Sequence, residues 1–169
     1  MTTVNERQEK LATEQAYKEH IHHTKINSAA VTDHILANIH TLHVKLHQYH
    51  WYVKGKNFYA LHNVFENLYN ENEAWFDKIA ERLLASGFKP ASTTTEFQEF
   101  TTISEDSSEK YYTADEMVLQ IVEDFRSNRE FTIRAIRLAQ EEENDALEDS
   151  LISLSLIHIS EPTRPERIS

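Results

Sequence analysis

Five residues of the sequence combine histidine and carboxylate side chains at spacings that are typical of a metal site. They are His50, His62, Glu66, Asp77 and Glu81, in the pattern His-Trp-x10-His-x3-Glu-x10-Asp-x3-Glu. Imidazole and carboxylate ligands suit ferrous iron, manganese and zinc. The chain has no cysteine, so thiolate ligands and disulfide bonds are excluded. The pattern therefore predicts a site with nitrogen and oxygen ligands for one of these three metals.

The spacing indicates that two copies of the chain share this site. His62 and Glu66 are i,i+4 neighbours, as are Asp77 and Glu81, so each pair lies on one helical face. At about 100° per residue, all four fall within roughly a third of the helix circumference. Fifteen residues separate His62 from Asp77, which is roughly 22 Å along an α-helix. One helix cannot bring both pairs to one metal, but an antiparallel two-fold partner can.

Four helices are predicted around these residues, and a turn between the first two adds His50 to the group. Lys54-Gly55-Lys56-Asn57 is the one turn-like stretch nearby, and folding about it places position 50 opposite position 62. Apolar periodicity predicts helices over residues 31–54 and 58–86, with Asn27 as N-cap of the first. Further helices are expected from the Thr113–Glu116 capping box to about residue 140, and from residue 145. The polar crossover before Thr113 has room for a short helix over residues 96–100. The predicted fold is all-α, a four-helix bundle.

The stretch that holds these residues resembles the signature of the Dps family, the ferritin-like DNA-binding proteins from starved cells. The resemblance rests on residues 46–62 (LHQYHWYVKGKNFYALH), 65–69 (FENLY) and 77–82 (DKIAER), and continues weakly to about residue 152. It implies a ferritin-like bundle with a ferroxidase centre at a dimer interface. His50, His62 and Glu66 would come from one subunit, and Asp77 and Glu81 from the other. Many family members have Asp where Glu66 stands.

The resemblance also implies a function, an assembly and a location. The expected protein is a cytoplasmic dodecamer that oxidises Fe²⁺ with hydrogen peroxide and stores Fe³⁺, which protects against oxidative stress. Zinc is a substitute for iron at the centre. Asp145 and Asp149 are candidates for acidic pores through which iron enters, with Glu141 as a third; the alternative is an exposed charge run at a helix N-terminus.

Other aromatic residues near the centre have two interpretations each. His40, His43 and His47 share a helical face with His50. This stripe either flanks the metal centre or is a polar interface, and the second interpretation is preferred for His40 and His43. Trp51 either packs, in the core or as a wall of the site, or serves as a local electron donor that quenches radicals, and packing alone is preferred.

Two alternatives to ferroxidation follow from the sequence. One is a nucleoid-compacting DNA-binding protein, which a formal net charge of −11 and a charge-balanced N-terminal extension, residues 1–26, weigh against. The other is a bundle that holds Zn²⁺ as a structural ion without turnover. His20, His22 and His23 in the extension could hold a surface zinc, but a mobile polar tail is the preferred interpretation. The lack of an apolar core in the extension predicts that it is not a secretory signal. No apolar run approaches membrane length.

The end of the chain departs from the family. The ferritin-like domain is expected over residues 27–152, and residues 153–169 are expected to be foreign to it. Residues 153–160 alternate between apolar and polar types, which is typical of a strand. Pro162 and Pro165 then stop any helix.

Overall fold

The computed structural model describes residues 3–160, and side chains as far as residue 156. The described part of the chain contains six α-helices and one 3-10 helix and has no strand. In chain order the elements are α1 (Val4–His23), α2 (Ser28–Tyr52), α3 (Phe58–Ala85), α4 (Thr94–Phe100), the 3-10 helix Ser107–Tyr111, α5 (Ala114–Glu141) and α6 (Asp145–Ser160). None of the described helices is long and apolar enough to cross a bilayer.

Helices α2, α3, α5 and α6 form the predicted four-helix bundle. Helix α2 packs against α3 and α5, and α6 packs against α5 and α3. The short helix α4 and the 3-10 helix lie in the crossover from α3 to α5, and α4 includes the stretch predicted for a short helix. The structure therefore confirms the predicted all-α class, including the short helix in the crossover.

The helix ends follow from local side-chain chemistry. Asn27 Oδ1 accepts a hydrogen bond from the Ala30 amide at 2.8 Å, so Asn27 is the N-cap predicted for α2. Thr113 and Glu116 form the predicted capping box at the start of α5. Gly87, with a φ of 80°, follows the end of α3 in the left-handed region, where a residue without Cβ is favoured.

The N-terminal segment is a helix, and the prediction of a mobile polar tail is wrong for its described residues. Thr3 and Glu6 form a capping box at the start of α1. Lys18 and Ile21 are the buried residues of this helix. The Lys18 Nζ atom lies 3.3 Å from Glu96 Oε1 and 4.0 Å from Asp33 Oδ2. Ile21 is the one apolar residue of α1 that is buried, so the helix has no apolar stripe that periodicity could reveal.

The C-terminal segment is also helical where it is described, so the strand-like prediction for residues 153–160 is wrong. A strand would place Leu154 and Leu156 on the same face. Instead Leu154 is fully buried with Leu147 and Leu151, whereas Leu156 is 60% exposed. This difference follows from the helical period, which rotates positions two apart by about 200°. The two prolines of the tail, Pro162 and Pro165, lie outside the described residues.

A polar network crosses the interior between α2, α5 and the crossover. Lys45 is buried, and its Nζ atom lies 2.7 Å from Asp124 Oδ2 and 3.5 Å from Glu109 Oε2. It also donates a hydrogen bond to the Ser104 carbonyl at 2.8 Å. Tyr49 donates its hydroxyl proton to Glu109 at 2.7 Å. The network therefore ties the crossover to the helix that carries His50.

Candidate metal centre

A short turn brings the end of α2 against the start of α3. Residues 53–57 connect the two helices, and Gly55 has a φ of 106°, a conformation that favours glycine. The Phe58 amide donates to the Gly55 carbonyl at 3.1 Å, which closes the turn. Position 50 therefore lies opposite position 62, as the turn predicted.

His50 and His62 are held together by two reciprocal hydrogen bonds. The His50 Nδ1 atom lies 2.9 Å from the His62 carbonyl oxygen, and the His62 Nδ1 atom lies 2.8 Å from the His50 carbonyl oxygen. The two imidazole rings are stacked, with centroids 3.6 Å apart and an interplanar angle of 22°. Each contact thus runs between the backbone of one residue and the side chain of the other, which fixes both rings relative to both helices.

These hydrogen bonds determine which ring nitrogens are available to a ligand. A carbonyl oxygen only accepts, so each Nδ1 atom must carry a proton and donate it. In a neutral imidazole, the other nitrogen, Nε2, then has a free lone pair. Backbone-anchored histidines with one free ring nitrogen are the usual form of metal-binding histidines.

Glu66 completes a three-residue group with these histidines. One potential ligand atom from each of His50, His62 and Glu66 lies within 4.8 Å of the others. Within the described residues of one chain, it is the only group of three or more such side chains. Exposure increases from the buried His50 through His62 to Glu66. The group therefore opens toward solvent on its carboxylate side.

Asp77 and Glu81 do not belong to this group within one chain. Both side chains are exposed on α3, several turns beyond Glu66. A single subunit thus offers two imidazoles and one carboxylate at one place, and two further carboxylates at another. The two places lie apart along α3, as the rise per residue of a straight helix predicts for these pairs.

Aromatic side chains surround the three-residue group. The Tyr69 ring is edge-on to His50, with centroids 5.3 Å apart, and stacks on His47 at 3.8 Å. The Phe58 ring stacks on His62 at 5.1 Å. Trp51 is 67% exposed and touches His47 edge-on. Trp51 therefore does not pack in the core of the chain, and its indole lies on the surface beside the site.

The other histidines of the stripe lie outside the group and have separate partners. His40 stacks on Phe97 with centroids 4.5 Å apart, and burial lowers its pKa. His43 lies beside Glu73 and beside the ring of His47, and burial also lowers the pKa of His43. The His47 Nδ1 atom donates to the His43 carbonyl at 2.9 Å.

The proposed pore residues lie at the junction of α5 and α6. Asp145, Asp149 and Glu141 are all exposed there. The neighbouring Glu142 has a structural role. Its carboxylate accepts hydrogen bonds from the backbone amide of Ser28, at 2.8 Å, and from the Ser28 hydroxyl. It thereby caps the start of α2, which the acidic run did not reveal in the sequence.

A second histidine cluster joins α1 to α2. It contains His22, a candidate for a surface zinc, but the partner of His22 in this cluster, His34, was not predicted from the sequence. The His22 Nδ1 atom lies 3.1 Å from His34 Nε2, and His34 Nδ1 donates to the Phe100 carbonyl at 2.7 Å. The His22 ring also stacks on Phe100. The signal in the sequence was the Thr3–Glu6 capping box, which predicts the helix that carries His22.

Comparison with known proteins places these observations in a family. The model of the ferritin-like domain matches residues 30–156. General stress protein 20U of Bacillus subtilis is 40% identical over 119 residues, which cover 70% of this chain and 81% of that protein. The DNA protection during starvation protein of Listeria innocua is 35% identical over 128 residues, which cover 76% of this chain and 82% of that protein.

Solved structures show the same relationship. The crystal structure of DpsB from Lactococcus lactis superposes with a TM-score of 0.89 at 28% identity, covering 95% of this chain and 92% of that chain. Dps from Listeria monocytogenes superposes with a TM-score of 0.77 at 32% identity, covering 80% of this chain and 88% of that chain. The chain therefore belongs to the Dps family of ferritin-like proteins.

Proposed function

We propose that this protein is a ferroxidase that oxidises Fe²⁺ with hydrogen peroxide at a centre shared by two subunits, and that it stores the Fe³⁺. The observation that carries the proposal is the convergence of His50, His62 and Glu66, with both Nδ1 atoms occupied by backbone carbonyls. Two Nε2 lone pairs and a carboxylate are ligands that suit Fe²⁺. The names of the relatives support protection during stress and starvation.

The second half of the centre comes from Asp77 and Glu81 of another subunit. In an antiparallel pairing of two α3 helices, Asp77 of one subunit faces Glu66 of the other, and Glu81 faces His62. The two facing residues on each helix are four positions apart, so they lie on one helical face. The complete set has two imidazoles and three carboxylates. The negative charge of the carboxylates stabilises iron more strongly as its charge increases from two to three, which favours oxidation.

Two iron ions at one centre account for the choice of oxidant. Each Fe²⁺ gives up one electron, and together the two electrons cleave the oxygen–oxygen bond of one peroxide molecule. Both oxygens then reach the oxidation level of water or hydroxide, and no hydroxyl radical is released. The ferric ions hydrolyse to oxyhydroxide and release protons, which the surrounding water accepts.

Storage requires an enclosed assembly, which we propose to be a dodecamer built from two-fold dimers. Val44 and Trp51, seven residues apart on α2, are 44% and 67% exposed, so a second subunit packed on this face would cover apolar surface. Asp145 and Asp149, with the net charge of −11, would attract Fe²⁺ to acidic pores.

Stopped-flow measurement of Fe²⁺ oxidation tests the proposal. Protein sized by gel filtration is mixed with Fe²⁺ and then with hydrogen peroxide or with oxygen. We expect rapid oxidation with peroxide, and loss of the fast phase in His62→Ala. His23→Ala is the matched control, since His23 is an exposed histidine of α1, and it should retain the wild-type rate. A bundle that binds Zn²⁺ only as a structural ion would show no turnover in any variant, and this would contradict the proposal.

A further inference from the structure

A second pair of metal-type ligands lies outside the candidate centre, between the middle of α2 and the middle of α3. The His43 Nδ1 atom is 3.3 Å from Glu73 Oε2. Although the distance is short, the contact does not have the geometry of a hydrogen bond, and the buried Nδ1 atom has no other partner among the described residues. Glu73 itself is 65% exposed, so the pair lies at the surface.

The protonation of His43 makes this contact unusual. A proton on the buried Nδ1 atom would have no acceptor in hydrogen-bond geometry, so the tautomer with its proton on Nε2 is favoured. In the neutral ring, Nδ1 then presents a lone pair to a carboxylate oxygen. Burial and the neighbouring His47 lower the pKa of His43, which opposes a second proton on the ring. Two electron-rich atoms thus face each other, and a cation between them would be favourable.

The distance between the two atoms fits a metal ion. Zinc binds imidazole nitrogen and carboxylate oxygen at about 2.0–2.1 Å with tetrahedral angles, so two of its ligand atoms lie about 3.3–3.4 Å apart. The observed separation is 3.3 Å. One chain supplies two of the four ligands that such an ion needs.

The register of the shared centre supplies the other two. His62 with Glu81, and Glu66 with Asp77, are both pairings centred between residues 71 and 72 of α3. The two-fold axis therefore passes close to Glu73, which precedes Asp77 by four residues on the same face. Two copies of Glu73 would lie roughly 5 Å apart along the helix direction. The two His43–Glu73 pairs thus approach the axis from opposite sides.

We propose that His43 and Glu73 of two subunits form a divalent-cation site of the Zn²⁺ class on the two-fold axis, midway between the two ferroxidase centres. The site has two imidazoles and two carboxylates, and it connects the two subunits. The inference rests on the proposed function for its register, because the axis is located by the shared centre. Its chemistry rests on the His43–Glu73 contact alone.

Titration with Co²⁺ tests the site, since tetrahedral cobalt has strong visible absorption. The protein carries His50→Ala and His62→Ala, which remove the imidazoles of the ferroxidase centre, and light scattering gives its size. We expect a dimer or larger assembly that binds one tetrahedral Co²⁺ per two subunits. Adding Glu73→Gln or His43→Gln should abolish this absorption. Adding Glu130→Gln, the same substitution at an exposed glutamate of α5, should leave it unchanged.

Three results of the titration and the sizing would overturn the inference. They are an assembled protein without tetrahedral Co²⁺, absorption that persists in Glu73→Gln, and a protein that remains monomeric at all concentrations. A His43 ring that holds both protons at neutral pH without metal, as measured by NMR, would also overturn it. The proposed function is judged separately by iron oxidation in the wild-type protein. Glu73→Gln alone should oxidise iron at the wild-type rate.

Discussion

The Lys45 ammonium group and the Asp124 carboxylate form an ion pair at 2.7 Å in the interior of the bundle, where both side chains are less than one tenth exposed. Burial raises the pKa of Asp124, although Lys45 acts in the opposite direction. Removing one member of such a pair leaves an uncompensated charge in the interior, which costs far more than the pair itself contributes.

We therefore predict that Lys45→Met lowers the free energy of unfolding by about 3–5 kcal/mol. The double variant Lys45→Met/Asp124→Leu should recover part of this loss, because the Asp124 charge is removed together with its partner, whereas the buried Glu109 still loses its contact with Lys45. Chemical denaturation monitored by circular dichroism measures both values. Arg126→Ala is the control, since Arg126 and Glu123 form an exposed pair at the same 2.7 Å distance. Its effect should be below about 1 kcal/mol. Equal losses in the buried and the exposed pair would contradict the prediction.

Leu154 and Leu156 test the helical end of the domain. Leu154 is fully buried, so Leu154→Ala should lower the free energy of unfolding by about 2–5 kcal/mol. Leu156 is 60% exposed, so Leu156→Ala should change it by no more than about 0.5 kcal/mol. The two melting temperatures, compared with that of the wild type, give the answer. Similar effects at the two positions would favour the strand-like arrangement instead.

The shared centre predicts complementation between two inactive variants. His50→Ala and Asp77→Ala should each lose fast iron oxidation, since each removes a ligand. In a mixed dimer of the two variants, one centre lacks both residues and the other is intact. With random mixing, half of the dimers are mixed, so co-expression should restore about one quarter of the wild-type activity. Complete inactivity of well-assembled mixed protein would contradict a centre that two subunits share.

The His22–His34 cluster predicts a dependence of stability on pH. Burial, the largest cause, lowers the pKa of His34, and the charge of His22 acts in the same direction. The unfolded chain then takes up a proton near about pH 6.5 that the folded chain binds only at lower pH. Stability should be fully present above that value and decrease as the pH falls through the pKa of the folded state. Denaturant midpoints measured between about pH 7 and pH 5 should fall less in His34→Gln than in the wild type. An equal decrease would exclude His34 as the cause.

DNA binding is expected to be absent at about physiological salt, because the net charge of −11 repels phosphate. Helix α1 contains four glutamates against three lysine and arginine residues, so it offers no basic surface. Gel retardation of linear DNA checks this, and deletion of residues 1–25 should leave iron oxidation unchanged. A clear shift that disappears with the deletion would instead support the DNA-binding alternative.

The sequence predicted the bundle well because apolar periodicity and capping residues coincide there. The predicted bounds of α2, α3 and α5 differ from the observed ones by at most three residues. The turn at Gly55 also sufficed to place His50 beside His62. By contrast, α1 attaches through Lys18 and His22, which periodicity cannot detect. In residues 153–160, alternation of Leu and Ser suggested a strand, but packing of Leu154 in the bundle outweighs this local pattern.

The hydrogen bonds that fix the side chains of the candidate site could not be predicted from residue spacing alone. Spacing identified His50, His62 and Glu66 as neighbours, but the reciprocal bonds involve backbone carbonyls, and every residue has one. The Lys45 network was missed for a related reason. Lysine and aspartate at distant positions give no sign of their pairing until α2 and α5 pack together.

The reciprocal bonds between His50 and His62 have a consequence for where ferric iron can form. They organise one half of the centre within a single folded chain, before any partner arrives. If the carboxylates come from a second subunit, a free monomer binds ferrous iron weakly and lacks the groups that drive its oxidation. In the proposed ferroxidase, oxidation would then begin only after two subunits associate. Insoluble ferric oxyhydroxide would therefore form at assembled protein and not beside free monomers in solution.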